Sequence, residues 1–170
     1  MIYKEEKIHY LSKILGSILA KNKKTITFAE SCTGGWVSKV ITDIPGSSKY
    51  FNQSFITYSN ESKKDILKIN LGNLERYGVV SEYTAIKMAE KVLKISKSDY
   101  SASITGIAGP HLCKNNKNDK VGVIWFGFAN REKNRKTLSR CCHFKGNRIS
   151  IRKQAVKYTL LTLINEVIID

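Results

Sequence analysis

The sequence predicts an α/β domain in which a mixed, mostly parallel sheet lies between two layers of helices, a three-layer α/β/α sandwich. The length of 170 residues suits one domain, and we assign residues 1–170 to it. Short β-branched and aromatic runs alternate with longer segments of helical periodicity, which is typical of this architecture. The last two strand-like runs follow each other without a helix between them, so an antiparallel hairpin should make the sheet mixed.

The first half of the chain should contain three helices and two strands. Residues 5–20 form an amphipathic helix whose apolar positions are Ile8, Leu11, Leu15, Ile18 and Leu19. Residues 25–28 and 51–58 are rich in β-branched and aromatic side chains and are predicted to be strands. Residues 36–41 should form a helix that stops near Pro45, and Asn60 is predicted to cap a short helix that ends at Leu67.

The second half should contain two helices and three strands. Ser81 is a good N-cap for a helix over residues 82–95, with an apolar stripe of Ala85, Ile86, Ala89, Val92 and Leu93. The strands are predicted at residues 100–105, 121–129 and 136–144. Asn147 should open the last helix, whose inward positions are Val156, Leu160, Leu163, Ile164 and Val167.

The chain is strongly basic, with 29 Lys and Arg against 14 Asp and Glu. Of the basic residues, 23 are Lys, a bias typical of A+T-rich coding. We therefore favour a solvated surface as the explanation of the positive charge. Attraction of a small phosphate comes second and binding of nucleic acid third. Residues 114–157 nevertheless hold 13 basic and 2 acidic residues. No apolar run is long enough for a membrane span and no signal peptide is visible, so we expect a cytoplasmic protein.

The four cysteines should be reduced thiols packed in the protein. A zinc site could be drawn from Cys113, Cys141, Cys142 and His143, but neighbours on a strand point to opposite faces and the usual ligand spacings are absent. We therefore expect no metal.

Three segments at predicted strand ends could carry chemistry. The segment ESCTGG at residues 30–35 could present Ser31 on a turn whose amides hold a phosphate or an oxyanion, although an ordinary helix cap explains the same spacing. The segment YSNESK at residues 58–63 places Lys63 one turn into a helix, where a desolvated lysine could act as base toward Ser31, and where an exposed lysine is the simpler explanation. The segment TGIAGP at residues 105–110 could let a ligand approach the backbone or could be a plain turn.

A mechanism based on histidine is the alternative to these three candidate segments. His9 is expected to be exposed on the first helix and His143 lies in a strand, so only His111 is near a candidate loop. It has no apparent Asp partner, and a Ser-His-Asp triad is therefore disfavoured.

Taken together, ESCTGG, PGSS, YSN-x-x-K and TGIAGP in this order resemble the C-terminal domain of the CinA (competence/damage-inducible) family in its stand-alone form. The resemblance covers about residues 5–165. It implies metal-free and cofactor-free hydrolysis of the carboxamide of nicotinamide mononucleotide, with Ser31 as nucleophile, Lys63 as proton acceptor and Tyr58 as the residue that orients the lysine or relays the proton. It also implies a set of substrate-binding residues: Glu30, Cys32, Thr33, Gly34, Gly35, Ser48, Thr105, Gly106, Ala108, Gly109 and Arg148, with Arg152 as a second candidate for the phosphate.

One segment departs from the family pattern. After Pro110 the family commonly continues with Asp-Gly-Gly, whereas this chain reads HLCKNNKNDK, a polar segment that we predict to be mobile over residues 109–120. The alternative to an enzyme is a non-catalytic module that binds nucleotides or nucleic acid. We expect a small nucleotide as the partner, with neither membrane nor nucleic acid, and leave a homo-oligomer open.

Overall fold

A five-stranded sheet forms the centre of the computed structural model, which describes residues 2–109, 121–132 and 136–169. The strands are β1 (Ile26–Glu30), β2 (Phe51–Ile56), β3 (Tyr100–Gly106), β4 (Val123–Asn130) and β5 (Leu138–His143), in the spatial order β2-β1-β3-β4-β5. β1 pairs in parallel with both β2 and β3, whereas the β3–β4 and β4–β5 pairings are antiparallel. The mixed sheet is therefore confirmed, with four strands in one direction and β4 in the other.

Six α-helices cover the two faces of the sheet: α1 (Ile2–Lys21), α2 (Trp36–Thr42), α3 (Asn60–Leu67), α4 (Leu71–Tyr77), α5 (Glu82–Ser96) and α6 (Arg148–Ile169). α1, α2 and α6 pack together on one face, and α3, α4 and α5 pack on the other. The larger hydrophobic core lies under α1, α2 and α6, and a smaller one between the sheet and α3–α5. The three-layer α/β/α prediction is confirmed.

The buried residues follow the predicted helical stripes. All five inward positions of α6 are buried, and so are Ala85, Ala89, Val92 and Leu93 of α5, while Ile86 is only half-buried. No helix in the part of the chain that the structure describes is long and apolar enough to cross a membrane.

Two of the N-cap residues predicted from the sequence agree with the structure, and one differs. Ser81 accepts a hydrogen bond from the amide of Thr84 at 3.2 Å, and Asn147 accepts one from the amide of Ser150 at 2.9 Å. For α3 the cap is Ser59 rather than Asn60, because Ser59 has an extended backbone and its Oγ accepts from the amide of Ser62 at 3.0 Å. Asn60 itself is the first residue of the helix.

The cysteine prediction needs one correction. The structure describes three cysteines, all as free thiols: Cys32 is buried and Cys142 half-buried, but Cys141, on the edge strand β5, is exposed. Cys113 and His111 lie outside the described residues, as do Pro110 and nearly all of the segment predicted to be mobile.

Candidate active site

Three strand ends meet at one edge of the sheet and set the position of the site. Glu30, the last residue of β1, lies opposite Ile56 of β2 and Ile104 of β3. The chain continues from β1 into Ser31, whose amide donates to the carbonyl of Ile104 at 2.9 Å. On the other side, the amide of Thr57 donates to the carbonyl of Glu30 at 2.8 Å. In open α/β sheets this edge, beyond the carboxyl ends of parallel strands, is where ligands bind.

Residues 31–35, which we call the nucleophile turn, lead from β1 into α2. The amide of Gly34 donates to the carbonyl of Ser31 at 3.0 Å, so residues 31–34 form a β-turn. Gly34 has a φ of 60° and Gly35 a φ of 88°, values that favour glycine. Among the described residues, the amides of Cys32, Thr33 and Gly35 donate to no backbone carbonyl.

The carboxylate of Glu30 turns away from this set of amides. It is fully buried and accepts from the amides of Val37 and Ser38 at 3.1 and 2.8 Å, and from the Ser38 hydroxyl at 2.7 Å. These amides belong to the first turn of α2, where a negative charge is favoured. The assignment of Glu30 to substrate binding is therefore corrected, since Glu30 caps α2 and fixes the end of the nucleophile turn.

The Cys32 side chain is also directed into the protein. It is 5% exposed and packs in the core under α1, α2 and α6. Burial raises the pKa of the thiol to about 12, so at neutral pH it is not a thiolate. Thr33 is fully buried as well, which leaves only the backbone of these two residues to face a ligand.

Lys63 is buried against Ser31. Its side chain is completely inaccessible to solvent, in contrast to the exposed neighbour Lys64, so the simpler explanation of an exposed lysine is wrong. Nζ lies 3.2 Å from Oγ of Ser31 and donates to the carbonyls of Thr57 at 2.8 Å and Tyr58 at 3.2 Å. Burial lowers the pKa of Lys63 to about 8.

The same contacts can also accommodate a neutral amine. A neutral amine has two N–H donors and one lone pair, and the two nearest carbonyls can accept both donors. The lone pair is then free to point toward the Ser31 hydroxyl. The short extended segment between β2 and α3 brings these carbonyls back over Lys63, because Ser59 ends the segment as the N-cap.

Tyr58 contacts Lys63 through its carbonyl and not through its phenol. The phenol oxygen accepts a hydrogen bond from Nη2 of Arg148 at 2.9 Å, and the Tyr58 side chain is 58% exposed. Nη1 of Arg148 donates to the carbonyl of Gly109 at 2.6 Å. The orientation of Lys63 predicted for Tyr58 is thus performed by backbone oxygens, and the phenol instead holds Arg148 above the site edge.

Three residues predicted to line the pocket use their side chains elsewhere. Thr105 donates its hydroxyl to the carbonyl of Val79 at 2.9 Å, and Ala108 is buried in the core. A Cβ at Gly106 would lie 2.3 Å from Cδ1 of Ile124 and 2.7 Å from a backbone oxygen of β4, so glycine is required here by sheet packing. These residues lie at the end of β3 beside Ser31, and only their backbone can face a ligand.

Ser48 does not approach the other candidates. It lies in a short 3-10 turn, Ser47–Lys49, immediately before β2 and is exposed. Since β1 and β2 are parallel, that position is at the opposite edge of the sheet from Ser31. The assignment of Ser48 to the same pocket is corrected for this chain.

Arg152 is the residue whose position the sequence did not indicate. From α6 it donates through Nε to the carbonyl of Cys32 at 3.0 Å and through Nη2 to the carbonyl of Thr33 at 2.5 Å. Its guanidinium also lies over the ring of Trp36, 5.2 Å from the centroid. A separation of about 120 residues between the partners leaves no local pattern from which these contacts could be predicted.

Metal ligands do not converge here. Within the described ranges, no group of three or more His, Cys, Asp and Glu side chains could hold a metal ion.

Comparison with known proteins finds relatives over most of the chain. The CinA C-terminal domain family matches residues 8–167 of the chain. Nicotinamide-nucleotide amidohydrolase PncC of Escherichia coli (strain K12) is 43% identical over 159 residues, which are 94% of this chain and 94% of that protein. A CinA-like protein of Endomicrobium trichonymphae is 48% identical over 150 residues, and this chain spans only 34% of its length. The crystal structure of the competence/damage inducible protein CihA from Agrobacterium tumefaciens superposes with a TM-score of 0.88 at 31% identity, over 94% of each chain.

Proposed function

The chain belongs to the CinA C-terminal domain family, and on that premise we propose that it is an amidohydrolase of nicotinamide mononucleotide, yielding nicotinate mononucleotide and ammonia. The observation that carries the proposal is the pair formed by Ser31 and the buried Lys63, with Oγ and Nζ 3.2 Å apart at the sheet edge. The likeness to an amidohydrolase named for this substrate, over nearly the whole of both chains, supports the choice of substrate. We place the reaction in the cytoplasm.

The first half of the reaction forms an ester. Neutral Lys63 takes the proton of the Ser31 hydroxyl as Oγ attacks the carboxamide carbon, and the carbonyl oxygen becomes an oxyanion. The amides of Cys32, Thr33 and Gly35 supply the available donors for that oxyanion. When the C–N bond breaks, the Lys63 ammonium returns the proton to the leaving nitrogen, ammonia departs, and the nicotinoyl group remains on Oγ.

The second half reverses these roles with water. Lys63, neutral again, accepts a proton from a water molecule that attacks the ester carbon. The new tetrahedral oxyanion occupies the same donors, and its collapse breaks the bond to Oγ while Lys63 protonates the departing Ser31. The net change is one amide and one water converted into one carboxylic acid and one ammonia.

Arg148 is the proposed ligand of the nucleotide phosphate. It stands at the start of α6, exposed above the site, and among the described residues it uses two of its five N–H donors, on Tyr58 and Gly109. The remaining donors and the N-terminus of a 22-residue helix offer charge and hydrogen bonds to an anion.

The test is ammonia release from nicotinamide mononucleotide, with formation of nicotinate mononucleotide followed by chromatography. Turnover should be undiminished by EDTA, since the mechanism uses no metal ion. The un-phosphorylated riboside is the matched substrate and should be turned over with a much higher KM. If ammonia is not released by the wild-type protein, or is released only after zinc or magnesium is added, the proposal is rejected.

A further inference from the structure

The guanidinium of Arg152 lies on one face of the nucleophile turn and binds two consecutive carbonyls. Nε and Nη2 donate to the oxygens of Cys32 and Thr33, and the ring of Trp36 supports the guanidinium from below. Arg152 comes from α6, in the layer opposite to that of α3, which carries Lys63. The two cations therefore approach the turn from opposite sides.

The first of these carbonyls belongs to the peptide unit at the centre of the β-turn. That unit contains the oxygen of Cys32 and the amide of Thr33, and in a trans peptide the C=O and N–H bonds point in opposite directions. Because Arg152 holds the Cys32 carbonyl, the Thr33 amide points away from Arg152, and Lys63 contacts Ser31 from the layer of helices opposite to α6.

The peptide unit between Cys32 and Thr33 is also the one that rotates when a β-turn changes between type I and type II. A type II turn would need a positive φ at its third residue, which here is Thr33. Among the described non-glycine residues only Lys23, Lys68 and Lys97 have a positive φ, so Thr33 is not in that state. Rotation of the unit would reverse the Thr33 amide and present the Cys32 carbonyl to an oxyanion in its place.

We propose that Arg152 is a positioning residue that fixes the Thr33 amide as an oxyanion donor by binding the carbonyls of Cys32 and Thr33. The inference rests on the proposed function for the identity of the substrate, but not for the geometry of the turn. It also distinguishes the two arginines. Among the described residues, Arg148 donates from one nitrogen to the carbonyl of Gly109 and from another to the phenol of Tyr58, so three of its N–H groups have no described acceptor. Arg152 instead donates from Nε and Nη2 to the carbonyls of Cys32 and Thr33 and is not the phosphate ligand.

The experiment compares Arg152→Gln and Arg152→Lys with wild type, using nicotinamide mononucleotide and its riboside. Arg152→Gln should lower kcat by at least tenfold, toward the roughly 100- to 1,000-fold cost of losing one oxyanion donor, while KM for either substrate changes by less than threefold. The kcat of Arg152→Lys should lie between those of wild type and Arg152→Gln, because an ammonium keeps the charge but cannot bind two carbonyls at once as a planar guanidinium does. Lys157→Gln removes a charge from the same helix away from the turn and should retain wild-type kcat.

Two results would overturn the proposal. A rise in KM for the nucleotide but not for the riboside, at unchanged kcat, would make Arg152 a phosphate ligand. The variant could also lose kcat because its thermal unfolding midpoint is lower. If the loss disappears when the assay is run well below that temperature, Arg152 contributes only to stability.

Acylation of Ser31 by p-nitrophenyl acetate gives a measurement that does not depend on the nucleotide. Absence of ammonia release by wild type would reject the proposed function, and the acylation rate would then decide the question of Arg152. A slower burst in Arg152→Gln supports the positioning role. An unchanged burst, or the absence of a burst in wild type, rejects it.

Discussion

The pH dependence of turnover should report the burial of Lys63. With a pKa of about 8 in place of 10.5, the neutral fraction of the amine rises from about 1% at pH 6 to about 90% at pH 9. The kcat/KM should therefore increase about 90-fold over that range and then level off, with less than a 1.2-fold gain from pH 9 to 10. An ordinary lysine would instead continue to gain about eightfold over the last pH unit.

The structure gives the cause and the energetic size of this shift. Lys63 is inaccessible to solvent, so its charged form loses hydration, and the difference between 10.5 and about 8 corresponds to about 3 kcal/mol against the ammonium. Nearby Glu61 acts in the opposite direction and raises the pKa of Lys63. Replacement by Glu61→Gln should accordingly move the midpoint of the profile to lower pH.

The assay is ammonia release from nicotinamide mononucleotide between pH 5.5 and 10, in overlapping buffers of constant ionic strength. Lys64→Gln is the matched control, since Lys64 is the exposed neighbour on the same helix and its loss should leave the midpoint in place. A midpoint near 10.5, or activity that falls as the pH rises from 6 to 8, would contradict the assignment of Lys63 as the base.

Three further predictions concern single side chains. Ser31→Ala should reduce turnover below a tenth of wild type while circular dichroism and nucleotide affinity stay unchanged; higher residual activity would move the nucleophile elsewhere. Arg148→Ala should weaken binding of the nucleotide by about 1.5–3 kcal/mol, measured as KM and inhibition constants, and leave the riboside nearly unaffected, whereas equal losses would assign Arg148 to the fold. Glu30→Ala should lower the free energy of unfolding in urea by about 2–4 kcal/mol, because it leaves two buried helix amides and the Ser38 hydroxyl without their acceptor; a loss under 0.5 kcal/mol would contradict its capping role.

Much of the fold follows from patterns that act over a few residues. The stripe of α6 and the cap at Ser81 could be predicted because burial of an apolar face and satisfaction of terminal amides are local requirements. The helix Leu71–Tyr77 was not predicted, since its seven residues bury only Leu74 and provide no periodicity. The capping of α3 by Ser59 instead of Asn60 reflects two adjacent good caps, between which only the backbone conformation decides.

Fewer features of the site could be predicted from the sequence, because its key contacts join segments that are far apart in the chain. Lys63 stands beside Lys64 in a polar stretch, and nothing local shows that one of the two is buried against Ser31. Glu30 lies in the conspicuous segment ESCTGG, yet its carboxylate serves the following helix. Ser48 belongs to an equally conspicuous segment, but the parallel course of β1 and β2 carries it to the far edge of the sheet.

The buried thiol next to the nucleophile has a consequence for chemical resistance. Alkylating agents, peroxide and heavy metals attack the thiolate, and a pKa of about 12 leaves about one Cys32 in 100,000 ionised at pH 7. Of the three cysteines that the structure describes, Cys141 on the edge strand β5, three strands across the sheet from β1, is the exposed one and is the thiol that such reagents meet before Cys32. Iodoacetamide should therefore label Cys141 and leave Cys32 unmodified, as a mass-spectrometric peptide map would show. The presence of Cys32 in the nucleophile turn therefore does not by itself make the site sensitive to thiol reagents.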